Sequence, residues 1–304
     1  MRGRITEHGL FADIRGRASA LPLLFLHGGP GQGAYEFMAM QGERLGRQVR
    51  LIGLDQRGVG RSAPLPPGAP LTVADLVDDC EEVRLALGIK TWAVLGQSFG
   101  GGLALRYVTS YPSAVAAVIF ENPVWDPGLS SRAALPYVAA MLAERGQEDA
   151  AGTALAAIEG ECSAQILLAA YRSALDRLGG DRETFFVPSE RTRARLRDAR
   201  TARQREDSDG DKPDDDSSSE RHHQAITADP ATYDCLLSLL ARLTAPACLI
   251  TGGLDPLTSA EQRHAFQRSS RNNQMREFQQ AGHFVHADEP DAFANAVVDF
   301  IRAH

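Results

Sequence analysis

Short, largely apolar runs recur along the chain at residues 22–26, 49–54, 93–95, 116–120 and 247–251, and residues 275–278 predict a last short strand. A strand buried on both faces has this look, because neither side of it needs a polar partner. Glycine-rich or acidic turns close these runs: His27-Gly28-Gly29-Pro30-Gly31, Asp55-Gln56-Arg57-Gly58-Val59-Gly60-Arg61-Ser62, Gly96-Gln97-Ser98-Phe99-Gly100 and Gly252-Gly253-Leu254-Asp255-Pro256. Residues 4–15 alternate loosely around His8-Gly9 and predict a first hairpin.

Helical periodicity fills the intervals. Thr72 predicts an N-cap for a helix to Leu87, with Leu76, Cys80, Val83 and Leu87 on one face. Residues 103–107 leave the Ser98 turn with helical character, and Thr258-Ser259-Ala260-Glu261 predicts a capping box opening a helix to about Gln267. A last helix over 289–302 buries Phe293, Val297, Val298 and Ile301. Strands alternating with helices imply a mostly parallel, doubly wound sheet covered on both faces, with ligands beyond the C-terminal ends of the strands.

The alternation stops between residues 124 and 243. Helical spacing at 133–142, 150–158 and 164–178 predicts an inserted helical lid, flanked by a core in two parts, 1–123 and 244–304. Within the lid, residues 189–205 carry seven arginines, and 206–220 carry eight acidic residues against one lysine. These predict a solvated helix followed by an acidic, disordered loop, since such a composition builds no core. A flexible flap over a charged substrate is the functional alternative.

Composition narrows the class without changing this picture. With 304 residues, 43% hydrophobic and 23% charged, the chain suits one α/β domain with an insertion. A net charge of -7 argues against a nucleic-acid partner. Cys80, Cys162, Cys235 and Cys248 lack metal-site spacing and are expected to be reduced core residues. The first apolar run is too short for a signal sequence or a membrane span, so a cytoplasmic protein with no membrane partner is expected. Oligomeric state is not specified by the sequence.

The turns also carry chemistry. Gly96-Gln97-Ser98-Phe99-Gly100 is a G-x-S-x-G sequence between a strand and a helix, the setting that pushes a serine hydroxyl out of a sharp turn. Asp255 and His283 follow later strands, giving the chain order Ser, Asp, His expected of an α/β-hydrolase fold. In those roles Ser98 attacks a carbonyl, His283 accepts and returns its proton, and Asp255 orients the imidazole. Two N–H donors for the resulting oxyanion are expected from Phe99 and the loop at Gly29. His27 is read as fixing that loop. Glu121 is a second candidate acid, or a contact to lid or substrate. No metal, nucleotide or flavin is called for, because the mechanism needs none.

Together, His27-Gly28-Gly29-Pro30-Gly31, the Asp55-to-Ser62 loop and Gly96-Gln97-Ser98-Phe99-Gly100-Gly101 resemble the proline iminopeptidase branch of the α/β-hydrolases. The resemblance covers the two core segments. It implies serine-dependent release of an N-terminal residue, typically proline, from a small amide or short peptide. The lid departs from that branch: W-x-x-W-E is absent, Trp125 and Asp126 are its nearest approach, so that Trp125 joins Glu121 as an expected substrate contact, and no motif selects among Glu144, Glu148, Glu159 and Glu161. Relatives with this core and other lids cleave esters, thioesters or lactones, so that chemistry is the alternative. A ligand-binding protein without catalysis is a third reading.

Overall fold

The computed structural model describes residues 1–208, 216–270 and 273–304, with 204–208 and 216 described by their backbone alone. Among these residues one sheet contains β1 (Arg2–Arg4), β2 (Phe11–Arg15), β3 (Pro22–Leu26), β4 (Arg50–Asp55), β5 (Trp92–Gln97), β6 (Val115–Glu121), β7 (Ala247–Gly252) and β8 (Gln274–Phe278). Their spatial order is β1-β2-β4-β3-β5-β6-β7-β8. Each pair from β4 across to β8 is parallel, and β1 and β2 close one edge antiparallel. The chain winds outward in both directions from β3, so the loops after β3 and β5 part company at a topological switch point, where a crevice opens.

Alternate residues of the inner strands feed two cores. Leu24, Leu26, Trp92 and Val94 face one side, packed beneath α2 (Val73–Ala86) and α3 (Phe99–Ser110). Leu23, Phe25, Ala93 and Leu95 face the other, beneath α1 (Tyr35–Gly46) and the C-terminal helix. The continuous apolar runs are thus the mark of strands buried on both faces. Helix α1 was not evident in the sequence. Its inner face includes the fully buried Gln41, whose amide donates to the His286 carbonyl at 2.7 Å and the Pro290 carbonyl at 3.0 Å. A glutamine on that face interrupts the apolar periodicity while its hydrogen bonds make burial tolerable.

The insertion is helical: α4 (Pro127–Ala143), α5 (Glu148–Ala156), α6 (Ala164–Arg177), α7 (Arg182–Phe186), α8 (Glu190–Ser208) and α9 (Asp216–Ala228). The first four share a core of their own built around Leu135, Leu142, Tyr171 and Phe185. The arginine-rich α8 is docked rather than solvated, because Thr192, Leu196 and Ala199 are buried along one face. Outward, Arg200 bridges Glu36 and Glu183 at 2.7 Å each. The expected acidic loop is helical at both ends, in the last turn of α8 and the first turns of α9; its centre, 209–215, lies outside the described residues.

The chain closes with α10 (Ala260–Ser269), α11 (Val285–Asp288) and α12 (Pro290–Ala303). The cap of α10 sits one residue later than expected, at Ser259, whose hydroxyl accepts from the Gln262 N–H at 3.4 Å. Phe293, Val297, Val298 and Ile301 are buried on α12. Cys80 and Cys248 are core residues, but Cys162 is half-buried and Cys235 exposed; all four are free. No described helix is long and apolar enough to cross a membrane.

The capping box at Thr72 is present, with its hydroxyl accepting from Asp75 N–H at 3.2 Å and Asp75 accepting from Thr72 N–H at 2.8 Å. Replacing Thr72 with Ala orphans an N-terminal donor of α2 and is expected to lower unfolding free energy by about 1 kcal/mol. Urea denaturation monitored by circular dichroism tests this, and an unchanged midpoint would contradict the cap's contribution.

Candidate active site

Ser98 sits between β5 and α3 with φ 56 and ψ -121, a left-handed conformation for a non-glycine residue. Two close approaches permit the turn. A Cβ on Gly96 would lie 2.2 Å from the Gly100 carbonyl oxygen, and one on Gly100 would lie 2.2 Å from that of Leu26. Hydrogen bonds pin the serine backbone on both sides: its N–H donates to Glu121 O at 3.0 Å, and its carbonyl accepts from Gly101 and Val124 at 2.9 and 3.1 Å. The hydroxyl-bearing residue therefore faces the crevice at the head of α3.

Asp255 and His283 meet across the ends of β7 and β8. The imidazole Nδ1 lies 3.0 Å from Asp255 Oδ1. The same carboxylate accepts backbone N–H groups from Leu257 at 3.2 Å and Thr258 at 3.1 Å, which fix its orientation. Both side chains are almost wholly buried. With Nδ1 committed to the carboxylate, Nε2 is the nitrogen left to exchange a proton with a neighbour. Among the described residues Ser98 Oγ has no hydrogen bond to this imidazole, and such contacts commonly tighten only when substrate is bound.

The histidine's backbone is clamped by a residue absent from the sequence reading. Asn122, at φ 39 just after β6, donates to the carbonyls of Gly282 and His283 at 3.0 and 2.9 Å and accepts from Gly252 N–H at 3.0 Å. It ties together the ends of β6 and β7 and the histidine loop. From the lid, the carbonyl of Phe186 accepts the His283 N–H at 2.8 Å.

Loop 27–31 is held from below. His27 Nδ1 donates to the Gly28 carbonyl at 2.8 Å, and its Nε2 accepts from Gln56 N–H at 3.2 Å, an arrangement that fits the neutral imidazole. Burial pushes its pKa down. Asp55 accepts from Ala34 N–H at 2.8 Å and from Arg61 Nε at 2.8 Å. Burial alone would raise the Asp55 carboxyl, but the Arg61 guanidinium and these hydrogen bonds hold it below its ordinary value. Gly29, at φ 119, turns the loop toward Ser98. Among the described residues neither Gly29 N–H nor Phe99 N–H has an intramolecular acceptor, and both residues line the same cavity as Ser98.

That cavity, of about 260 Å³, lies between the crevice and the lid. Its wall is largely apolar, with Phe99, Val124, Leu168, Phe186 and Leu257, and its charged members are Arg172 and Arg182. No Asp or Glu belongs to the described wall. His283 lies behind Phe186, ring centroids 5.6 Å apart.

Two expected substrate contacts are corrected. Glu121 is fully buried under the sheet ends, where its carboxylate takes His286 N–H at 2.8 Å and His286 Nδ1 at 2.9 Å. It faces the structural pair, not the cavity. Trp125 is likewise fully buried, stacked on Phe266 at 5.6 Å and edge-on to Phe120 at 4.9 Å. Asp126 caps α4, and Glu144, Glu148, Glu159 and Glu161 are exposed away from the cavity. The wall residues Tyr171, Arg172 and His223 went unnoticed because nothing in their local sequence distinguishes them from other helical residues; only the placement of α6 and α9 over Ser98 does so.

One group of described side chains, His8, Asp79 and Glu82, has ligand atoms near enough to share a metal ion. Asp79 is already bound by Arg57, and none of the three lines the cavity.

The profile of the alpha/beta hydrolase fold family matches residues 22–290. Proline iminopeptidases are similar over shorter stretches: that of Neisseria meningitidis is 38% identical over 115 residues, which is 38% of this chain and 36% of the relative. That of Arabidopsis thaliana is 38% identical over 117 residues, 38% of this chain and 30% of the relative. The chain thus spans about a third of the length of these relatives in alignment. Among solved structures, the proline iminopeptidase of Mycobacterium smegmatis superposes with a TM-score of 0.72 at 22% identity, covering 100% of this chain and 98% of that one. An esterase from Exiguobacterium antarcticum gives 0.66 at 20% identity, covering 99% of each. At these identities the superpositions show a shared fold.

Helix α9 gives this region a pH dependence. His222, fully buried, donates from Nδ1 to the Arg57 carbonyl at 2.7 Å, and its Nε2 has no partner among the described residues. Burial lowers its pKa to about 4 from an ordinary 6.5. Well above pH 6.5 neither the folded nor the unfolded chain protonates this ring, and its contribution is complete. As pH falls toward 4, the unfolded chain takes up a proton that the folded chain refuses, at about 1.4 kcal/mol per pH unit. Between pH 7 and 4.5 the wild type is therefore expected to lose about 2 kcal/mol more stability than His222→Gln. Urea titrations at both pH values measure this, and equal losses would contradict it.

Proposed function

Because the chain belongs to the α/β-hydrolase fold family, we propose that this hydrolase works through Ser98, His283 and Asp255 by way of an acyl-enzyme. The observation that carries the reading is the left-handed Ser98 on the cavity wall, next to Gln97, whose amide donates to the carbonyl of the Asp255-bound His283 at 3.5 Å. Strain of this kind is retained where a side chain must be presented to a ligand.

In the proposed reaction, Ser98 Oγ adds to the substrate carbonyl while His283 Nε2 takes the hydroxyl proton. Negative charge gathers on the carbonyl oxygen, within reach of the Gly29 and Phe99 N–H groups, which can receive it without reorganising. As the intermediate collapses, the bond to the leaving group breaks and His283 returns the proton to that group. Water then attacks the acyl-enzyme, gives a proton to His283, and the acid departs as Ser98 regains its own. Asp255 holds the imidazole through Nδ1 and stabilises the imidazolium.

Similarity to proline iminopeptidases supports a small amide or short peptide as substrate. The cavity supports a second reading. A free N-terminal ammonium would meet arginines and no carboxylate on the described wall, whereas an ester, thioester or lactone needs no such partner. Of the two, the wall favours the ester-type substrate. Four unpaired cysteines fit a reducing, cytoplasmic setting for the enzyme.

Ser98→Ala is expected to lower turnover on the order of 10⁴-fold or more and to abolish labelling by a fluorophosphonate probe. A panel of prolyl and other aminoacyl anilides, set beside short acyl esters, identifies the bond. Undiminished turnover in Ser98→Ala would reject the mechanism, and cleavage of the anilides alone would reject the ester preference.

A further inference from the structure

We propose that the substrate carries an ionised carboxylate besides its reacting carbonyl, and that Arg172 on α6 receives it at the cavity wall across from that carbonyl. The proposal rests on the hydrolase reading of the same cavity and adds the chemical class of what enters it.

Arginine pairing in this chain is the first argument. Arg57 is paired with Asp79, Arg61 with Asp55, Arg84 with Glu81, and Arg106 with Asp234. In the lid, Arg145 pairs with Asp181, Arg193 and Arg197 with Glu190, and Arg200 with Glu36 and Glu183. Even Arg182, the exposed arginine of the cavity mouth, is tied to Asp176 at 3.1 Å. Arg172 is half-buried on the wall and, among the described residues, has neither a hydrogen bond nor a carboxylate within ion-pair distance. Burial pulls its pKa down from the ordinary arginine value, as a guanidinium short of solvent and of a counter-ion should be.

Its neighbours supply the second argument. The hydroxyls of Tyr171 and Ser131 also belong to the wall, are buried, and have no hydrogen-bond partner among the described residues. Leaving one such group unsatisfied costs about 1–3 kcal/mol, so three polar groups kept idle on one wall point to a ligand that engages them. Each can donate a hydrogen bond, and one fixed positive charge flanked by hydroxyls suits a planar, singly charged carboxylate. A dianionic phosphate would leave charge unbalanced in an otherwise apolar chamber. The cavity volume of about 260 Å³ fits a short diacid chain.

The test uses 4-nitrophenyl monoesters of succinic, glutaric and adipic acid beside the same esters with the free carboxyl methylated. At least one charged ester should exceed its capped counterpart tenfold in kcat/KM. Arg172→Gln should reduce that charged-to-neutral ratio at least tenfold, chiefly through KM, and Arg172→Lys should restore part of it. Taking the ratio cancels any general loss from the substitution. A wild-type ratio at or below one, or a ratio that Arg172→Gln leaves alone, overturns the proposal. Calorimetric binding of glutarate to Ser98→Ala, with and without Arg172→Gln, reads the arginine apart from catalysis. Binding that the second substitution removes supports the proposal, and binding that is absent or indifferent to it counts against. Failure of the hydrolase reading looks different: no ester of either kind is turned over and no fluorophosphonate label appears, whatever glutarate does.

Discussion

Holding a serine at φ 56 costs about 1–3 kcal/mol, and the centre of this fold is arranged around meeting that cost at Ser98. The turn exists because the chain passes at van der Waals limits on both sides: Gly96 against Gly100, and Gly100 against the end of β3. These contacts demand bare backbone, so the two glycines and the serine form one steric unit. The hydrogen bonds from Ser98 to Glu121, Gly101 and Val124 then tie that unit to the next strand and to the first residues of the lid. Once the turn is fixed, the placement of β3, β5 and β6 follows closely, and with it the crevice at the switch point.

Buried polar groups do the rest of the positioning, each by holding backbone. Asn122 gathers the ends of β6 and β7 with the His283 loop. Glu121 and His286 fasten the start of α11, and Gln41 reaches across from α1 to the same segment. On the other side, Asp55 joins Arg61 to the start of α1, and His27 joins the glycine loop to Gln56. A buried charge is expensive unless paired, and each of these is paired or hydrogen-bonded. Their common property is that they span segments far apart in sequence, which hydrophobic packing would hold less directionally.

That division explains what the sequence disclosed. Ser98, Asp255 and His283 were legible because each lies in a turn whose punctuation is local: two glycines around a serine, Gly-Gly before an aspartate, Ala-Gly before a histidine. The inner strands were legible because burial on both faces leaves a largely apolar run. Helix α1 escaped because Gln41 breaks its pattern, and Asn122 because a single asparagine after a strand announces only a turn. Glu121 and Trp125 occupy the expected end of β6, yet their side chains turn inward to His286 and Phe266; which way a residue points beyond a strand end is decided by its neighbours in space. Density misled in the arginine-rich helix. Arg193, Arg197 and Arg200 are spent on nearby glutamates, whereas Arg172 on the cavity wall has no carboxylate within ion-pair distance among the described residues and lies in an ordinary helix.

Lid and core are also less separable than an insertion suggests. Helix α9 seats Ser218 between Gly58 O at 2.7 Å and Leu65 N–H at 2.8 Å, places His222 on the Arg57 carbonyl, and brings His223 Nδ1 to 3.3 Å from the Pro30 carbonyl. Those contacts fall on the Gly29 loop itself and on the loop after β4. Helix α7 similarly reaches the His283 backbone through Phe186. The segments that shape the cavity therefore brace the loops that hold Gly29 and His283. A change in the lid made to admit a different substrate would also disturb the Gly29 loop and the histidine, so selectivity and rate should be difficult to alter independently. The exceptions are wall positions that touch neither loop, and α6, with Tyr171 and Arg172, is where the structure offers them.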